Sequence, residues 1–373
     1  MGTEVAAPAL RLYAGWRTGR PATDPAEWRR VVIFGSAHIG DVLYRTASLP
    51  HLRRALPTAH IAYVCAPLTA EILETDPNVD EVLPLVTADR VWRRSSVART
   101  TLRGHAFDAA LCTDHIDYGG DLRLAAEIGI PNRVGFIHKG WSGLVTLPIR
   151  PAGPQPIPAF FRDMVVRLGG QPATWDLTPR VTVTREDRAR AETIWRELAI
   201  PAARYVVACA VSWRQPNPIW PRASFMAALE ELARLLGPAS PLDVVLCGSA
   251  AEAPVLEAAA RGSSLRCHVL AGRLNLPGVT AFLAGCSAFL GPDSGLRHLA
   301  NAVGTPVVFV RNLGVASGET GVYCANETDV APPGDYMSVA AQVAALATIE
   351  PRTVAATLYH VLRPGPEVRQ DFA

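Results

Sequence analysis

The stretch Arg30-Val31-Val32-Ile33-Phe34-Gly35-Ser36-Ala37-His38-Ile39-Gly40-Asp41-Val42-Leu43 decides the fold. Its first five residues are a short β-rich apolar run, which predicts a strand. Gly35 and Gly40 mark a turn, and Val42, Leu43, Ala47, Leu49 and Leu52 then recur at helical spacing. Strand, loop and helix in that order begin a βαβ unit.

Outward from this stretch the alternation continues. Strands are expected at 60–66, 81–85, 106–112 and 132–136, with helices at 70–75 and 121–128. Prolines and a glycine between 149 and 158 mark a surface loop, followed by a helix at 160–168. An extended stretch at 178–183 leads into a charged helix at 186–198. From residue 205 the pattern restarts, with strands at 205–210, 243–247, 268–270, 287–290 and 307–310. Helices are expected between them at 222–236, 254–260, 276–285 and 295–302. The prediction is an α/β chain of two Rossmann-like, doubly wound domains. The expected layout is a flexible segment 1–27, a first domain 28–175, a linker 176–203 and a second domain 204–345. A C-terminal helix and tail, 346–373, is expected to pack back on the first domain. The domains should face each other across a cleft, with ligands at the carboxyl ends of both sheets.

The length of 373 residues suits two domains of ordinary size. A net charge of +2, with both signs interspersed, argues against the basic stripe that a nucleic-acid partner requires. Cys65, Cys112, Cys209, Cys247, Cys267, Cys286 and Cys324 form no CxxC pair and read as free thiols of a reducing compartment. No signal-peptide core and no apolar run near the ~20 residues of a membrane span is present, so a soluble, cytoplasmic protein without an integral membrane segment is expected.

Gly35 to Gly40 has the glycine spacing of a phosphate loop, but Asp41 stands where the lysine would, and a carboxylate there repels phosphate. The dinucleotide fingerprint also fails, because its middle glycine is absent. An acid at the mouth of a strand and the start of a helix is favoured in its ionised form. It is a candidate general base, or else a plain helix-start residue. His38 and Gly40 beside it, and Asp114 after a later strand, are candidates for the acceptor side.

In the second half, Gly291-Pro292-Asp293-Ser294-Gly295-Leu296-Arg297-His298-Leu299 follows a strand and opens a helix. Ser294 and Gly295 could offer backbone N–H groups to a diphosphate, with Arg297 or His298 adding charge. The alternative is an ordinary N-cap with a packed histidine. Glu252, in Gly248-Ser249-Ala250-Ala251-Glu252, could accept hydrogen bonds from a ribose or simply begin a helix.

Taken together, Ile39-Gly40-Asp41-Val42-Leu43, Pro77-Asn78-Val79-Asp80-Glu81-Val82, Trp220-Pro221, Asp293-Ser294-Gly295-Leu296-Arg297-His298-Leu299 and Gly304-Thr305-Pro306 resemble the ADP-heptose heptosyltransferases of glycosyltransferase family 9, in order from about residue 30 to 325. The resemblance implies a GT-B fold, an acceptor-binding first domain, a donor-binding second domain and an inverting transfer from ADP-heptose without metal or cofactor. It makes Asp41 the base, Glu252 the ribose acid and Asp293 the residue that holds heptose hydroxyls. Ser294, Gly295, Leu296 and His298 match the diphosphate and sugar segment, with Ser212 and Gly248 also on the donor side. The chain departs from the family at Pro218, where a lysine usually counters the diphosphate. Arg214, Arg222, Arg297 and Arg311 are candidate substitutes. Arg311-Asn312-Leu313-Gly314 also replaces the family's Gly-Pro-Thr-Asp.

Asp108, Asp114, Asp117 and Asp121 make 106–120 and its border acidic, without an obvious basic cluster. This favours a small uncharged or cationic acceptor, such as a nucleoside or aminoglycoside-type precursor, over lipopolysaccharide core. The other readings are a lipopolysaccharide core heptosyltransferase, a non-catalytic sugar-nucleotide-binding protein, and a sugar-nucleotide epimerase of the same architecture.

Overall fold

The computed structural model describes residues 23–362 except 88–90, 114–117, 138–142, 152, 171–175, 202, 212–217, 314–316, 335 and 337. The chain divides into two compact units, Met1–Leu177 and Thr178–Ala373.

The first unit is built on six parallel strands: β1 (Arg30–Phe34), β2 (His60–Val64), β3 (Glu81–Leu83), β4 (Ala109–Cys112), β5 (Asn132–Phe136) and β6 (Leu147–Ile149). Their order in the sheet is β3-β2-β1-β4-β5-β6. The chain moves outward from β1, then returns to place β4 on its other side, which makes a switch point between β1 and β4. Val31, Val32, Ile33 and Phe34 are all fully buried, as a central strand covered by helices on both faces requires.

The second unit repeats this topology with β7 (Tyr205–Cys209), β8 (Leu242–Leu246), β9 (Arg266–Val269), β10 (Ala288–Pro292), β11 (Val307–Val310) and β12 (Glu327–Val330). Its order is β12-β11-β10-β7-β8-β9, again all parallel, with the switch point between β7 and β10.

Of the described elements that lie where the sequence pattern is silent, three show why. β6 falls where the proline-rich loop was expected to begin, because Pro148 sits exposed on an edge strand, where a missing N–H costs little. The helix Ser96–Gly104 has few apolar residues but is capped by Ser95, whose side chain accepts from Ala98 N. β12 is polar, Glu-Thr-Asp-Val, and its buried Glu327 is held by ion pairing.

Helix Arg185–Leu198, inside the stretch read as a linker, packs on helix Leu276–Ala284 of the second unit through the stacked rings of Trp195 and Phe282. The C-terminal helix Pro351–Val361 was expected to return to the first domain; instead it belongs to the second unit's core. It packs on helix Arg222–Leu236 and buries Val354, Ala355 and Leu358 completely. Trp220 seals this corner: its indole N–H donates to Ile349 O at 3.2 Å, and its ring meets Phe225 edge-on at 4.9 Å. The Trp-Pro motif is therefore a packing device. The expected segment 1–27 is described only from residue 23.

Candidate active site

Asp41 lies in the first turn of helix Ile39–Thr46, directly after the loop that leaves β1 at the switch point. Its Oδ2 accepts a hydrogen bond from Ser36 Oγ at 2.7 Å, and the same hydroxyl accepts from His38 N at 3.2 Å. His38 occupies the N-cap position and offers no side-chain cap, so the carboxylate of Asp41 does not close a capping box with it. Gly40 is the second residue of the helix. Beneath the loop, the ring of Tyr63 is fully buried, and a Cβ on Gly35 would stand 2.3 Å from Tyr63 Cε1. Only glycine permits that approach. Burial pushes the Tyr63 hydroxyl well above the ordinary phenol range. Arg45, also buried, donates from Nη1 to the carbonyl of Asp41. Asp114 lies outside the described residues.

In the second unit, Asp293 follows β10 at the corresponding switch point, and helix Gly295–Ala302 begins two residues later. Ser294 holds the N-cap position without a side-chain cap, and its Oγ is buried without a partner. Ser294's side chain thus does not cap the first-turn amides of this helix, whose positive end lies at the sheet's carboxyl edge. Gly295 and Leu296 form that first turn.

Arg297 was a candidate cation for the diphosphate, and the structure removes it from that role. Its side chain is 0% exposed. The guanidinium donates to Asp293 Oδ1 at 2.7 Å, Glu327 Oε2 at 2.8 Å and Oε1 at 2.9 Å, and the carbonyls of Thr320 and Gly321. It also lies 3.4 Å from the centre of the Phe309 ring. This arginine instead ties Asp293 to β12 and to the residues ahead of it. His298 is likewise no cation: burial, with Arg297 beside it, holds its pKa well below 6.5. Its Nδ1 shares a 2.6 Å hydrogen bond with the hydroxyl of Tyr323.

Glu252 completes a capping box, its Oε2 accepting from Ser249 N at 2.8 Å and Ser249 Oγ at 2.6 Å. The loop is shaped by two glycines. A Cβ on Gly248 would stand 2.9 Å from Leu256 Cδ1, and one on Gly272 would stand 2.6 Å from Ala250 Cβ.

Of the remaining cations, Arg222 is exposed at the start of its helix. Arg311 leaves β11 beside Asp293, because Pro292 and Val310 are register partners. It lies 3.3 Å from Asp329 Oδ2 and keeps partial exposure. Ser212 and Arg214 lie outside the described residues. Among the described residues there is no group of three or more His, Cys, Asp or Glu side chains arranged to hold a metal ion. All seven cysteines are free. Ser36, Gly272, Tyr323 and Glu327 escaped sequence reasoning. Gly272 carried one signal, a glycine just past a strand end.

A family model described as glycosyltransferase family 9 (heptosyltransferase) matches residues 172–310. The chain is 26% identical over 305 residues to lipooligosaccharide heptosyltransferase 2 of Haemophilus influenzae, covering 74% of this chain and 82% of that protein. Among solved structures, a family 9 glycosyltransferase from Veillonella parvula superposes with a TM-score of 0.75 at 20% identity, covering 89% of this chain and 97% of that one. The ADP-heptose LPS heptosyltransferase II of E. coli gives 0.66 at 20% identity, covering 92% and 100%.

These relatives overturn the expectation of a small nucleoside or aminoglycoside-type acceptor, since those named by substrate carry lipooligosaccharide or LPS in their names. The structure supplies the physical reason. Asp108 faces the amino ends of the strands, where its Oδ2 accepts from Arg29 N and Arg30 N at 2.6 and 2.8 Å. Asp121 is fully buried against Arg93 Nε at 2.7 Å. Two of the four acids are therefore taken up by partners within the first unit, while Asp114 and Asp117 lie outside the described residues. With two parallel sheets of matching topology and motifs at both switch points, the chain has the GT-B fold of a glycosyltransferase and is similar to the heptosyltransferases of glycosyltransferase family 9.

Proposed function

We propose that this chain transfers a heptosyl residue from ADP-heptose to an oligosaccharide acceptor of lipopolysaccharide-core type, with inversion and without metal, at the cytoplasmic side of the cell. The observation that carries this reading is the placement of Asp41 and of Asp293-Ser294-Gly295 on equivalent switch-point loops of two units with the same topology. One loop presents a carboxylate. The other presents an uncapped helix end, a suitable seat for a diphosphate.

In the proposed step the acceptor oxygen attacks the anomeric carbon as Asp41 takes its proton, and the bond to the diphosphate oxygen breaks with both electrons leaving on ADP. Negative charge grows on the departing diphosphate, so fixed N–H dipoles and a nearby cation lower the barrier more than they stabilise the bound donor. Arg311 fits the cation role: it leaves β11 in register with the motif loop, and its contact with Asp329 leaves other N–H groups of the fork for phosphate oxygens. Glu252 and Gly248 would face the ribose, Asp293 the heptose hydroxyls, with Arg297 and His298 supporting Asp293 from behind. Exposed Arg94 and Arg150 follow β3 and β6 at the carboxyl edge of the first sheet, where an anionic core would meet positive charge. No described helix is long and apolar enough to cross a membrane, so a lipid-linked acceptor would be met at a membrane surface.

Donor identity is tested by thermal shift. A ligand held at about a hundred times its Kd stabilises the native state by about 2.7 kcal/mol. ADP-heptose should raise the melting temperature at concentrations where UDP- and GDP-sugars do not. An equal or larger shift with a UDP- or GDP-sugar would replace the donor.

A further inference from the structure

We infer that Ser36 is a positioning residue for Asp41, fixing which carboxylate oxygen meets the acceptor; the inference rests on Asp41 being the base. A carboxylate only accepts hydrogen bonds, so in the 2.7 Å contact the Ser36 hydroxyl donates to Asp41 Oδ2. The lone pairs of Ser36 Oγ receive His38 N–H at 3.2 Å, which sets the direction of the hydroxyl. The loop carrying Ser36 is fixed in turn. Gly35 N donates to Val64 O at 2.9 Å, and the Tyr63 ring lies where a Gly35 side chain would be. From the helix side, Arg45 grips the carbonyl of Asp41.

Asp41 is thus held at two points, its backbone by Arg45 and one carboxylate oxygen by Ser36. Oδ1 has no protein hydrogen bond among the described residues. A base works only when its accepting oxygen is within reach and correctly aimed, and small misplacements cost large factors in rate. Ser36 removes the rotation that would present either oxygen at random. A residue that merely shaped the turn would act through His38 N alone and would not depend on the carboxylate.

The test is a double-mutant cycle on the full chain with Asp41. Ser36→Ala should lower kcat about tenfold with both KM values within about twofold. Ser36→Thr, which keeps the hydroxyl, should recover most of the loss. In an Asp41→Ala background Ser36→Ala should cost nothing further, because the group it aims is gone. Equal losses in both backgrounds, or full activity in Ser36→Ala, would overturn the inference. Wild-type turnover in Asp41→Ala alone would instead remove Asp41 as base and take Ser36's role with it. A melting temperature unchanged in Ser36→Ala confirms that the fold is intact.

Discussion

At the scale of single residues, the two acids that organise the proposed chemistry were readable because each stands at a strand–loop–helix junction, where a short motif carries its own context. The leaving-group cation was not. Four arginines competed, and what separates them is long-range. The partners of Arg297 lie on Glu327, thirty residues away on an edge strand, whereas Arg311 is brought to the motif by strand register. Lys139, the chain's only lysine, lies outside the described residues. Arg311→Met should weaken ADP binding about tenfold or more while leaving AMP within about twofold, and Arg311→Lys should retain part of the difference. Arg222→Met serves as the comparison and should leave the ADP-to-AMP ratio near that of the wild type. Calorimetric titration of both nucleotides checks this, and loss of the ADP preference in Arg222→Met but not Arg311→Met would exchange the assignments.

At the scale of elements, the buried strands were legible because a parallel sheet covered on both faces demands continuous apolar runs. Its edges follow other rules. β6 tolerates Pro148 and β12 buries a glutamate, so neither carries the apolar signal. The loops after β8 and β9 illustrate what pattern reading misses. Gly272 and Gly237 share a φ of +71°, but only Gly272 abuts another loop, at Ala250, while Gly237 opens onto space. Gly237→Ala should cost about 1 kcal/mol of stability and leave ADP affinity unchanged. Gly272→Ala should also displace the Ser249–Glu252 loop and lower ADP affinity about tenfold, measured by the same titration.

Helix Gly295–Ala302 brings a pH dependence with it. His298 is kept neutral in the folded state by burial and by Arg297, so its folded pKa lies well below the unfolded value. The stabilisation is complete above about pH 6.5 and is lost as pH falls below it, because the unfolded chain then binds a proton the folded one refuses. His105 in the first unit has the opposite sign: its bond to Glu81 raises its pKa, giving stability that is present in acid and lost as pH rises through the folded value. Scanning calorimetry from about pH 7.5 to about pH 5.5 should show a falling melting temperature in the wild type and a flatter profile in His298→Gln. Equal slopes would deny the buried neutral state.

At the scale of the molecule, the repeated α/β architecture was evident from the restart of the strand–helix alternation at residue 205, while the allocation of its ends was not. The C-terminal helix carries an apolar face that suits either unit, and only the seat beside Trp220 and helix Arg222–Leu236 decides. The acceptor class was misread for a related reason: charge counted along the chain is not charge displayed, and Asp108 and Asp121 are occupied inside the first unit.

Heptosyl transfer from ADP-heptose with Asp41 as base is tested most directly by incubating purified protein with ADP-heptose and heptose-deficient lipopolysaccharide, following both ADP release and acceptor mass. One heptosyl residue should be gained per ADP released, with turnover in Asp41→Ala reduced about 10²- to 10⁴-fold and ADP affinity retained. ADP release without acceptor gain, or undiminished transfer by Asp41→Ala, would contradict it.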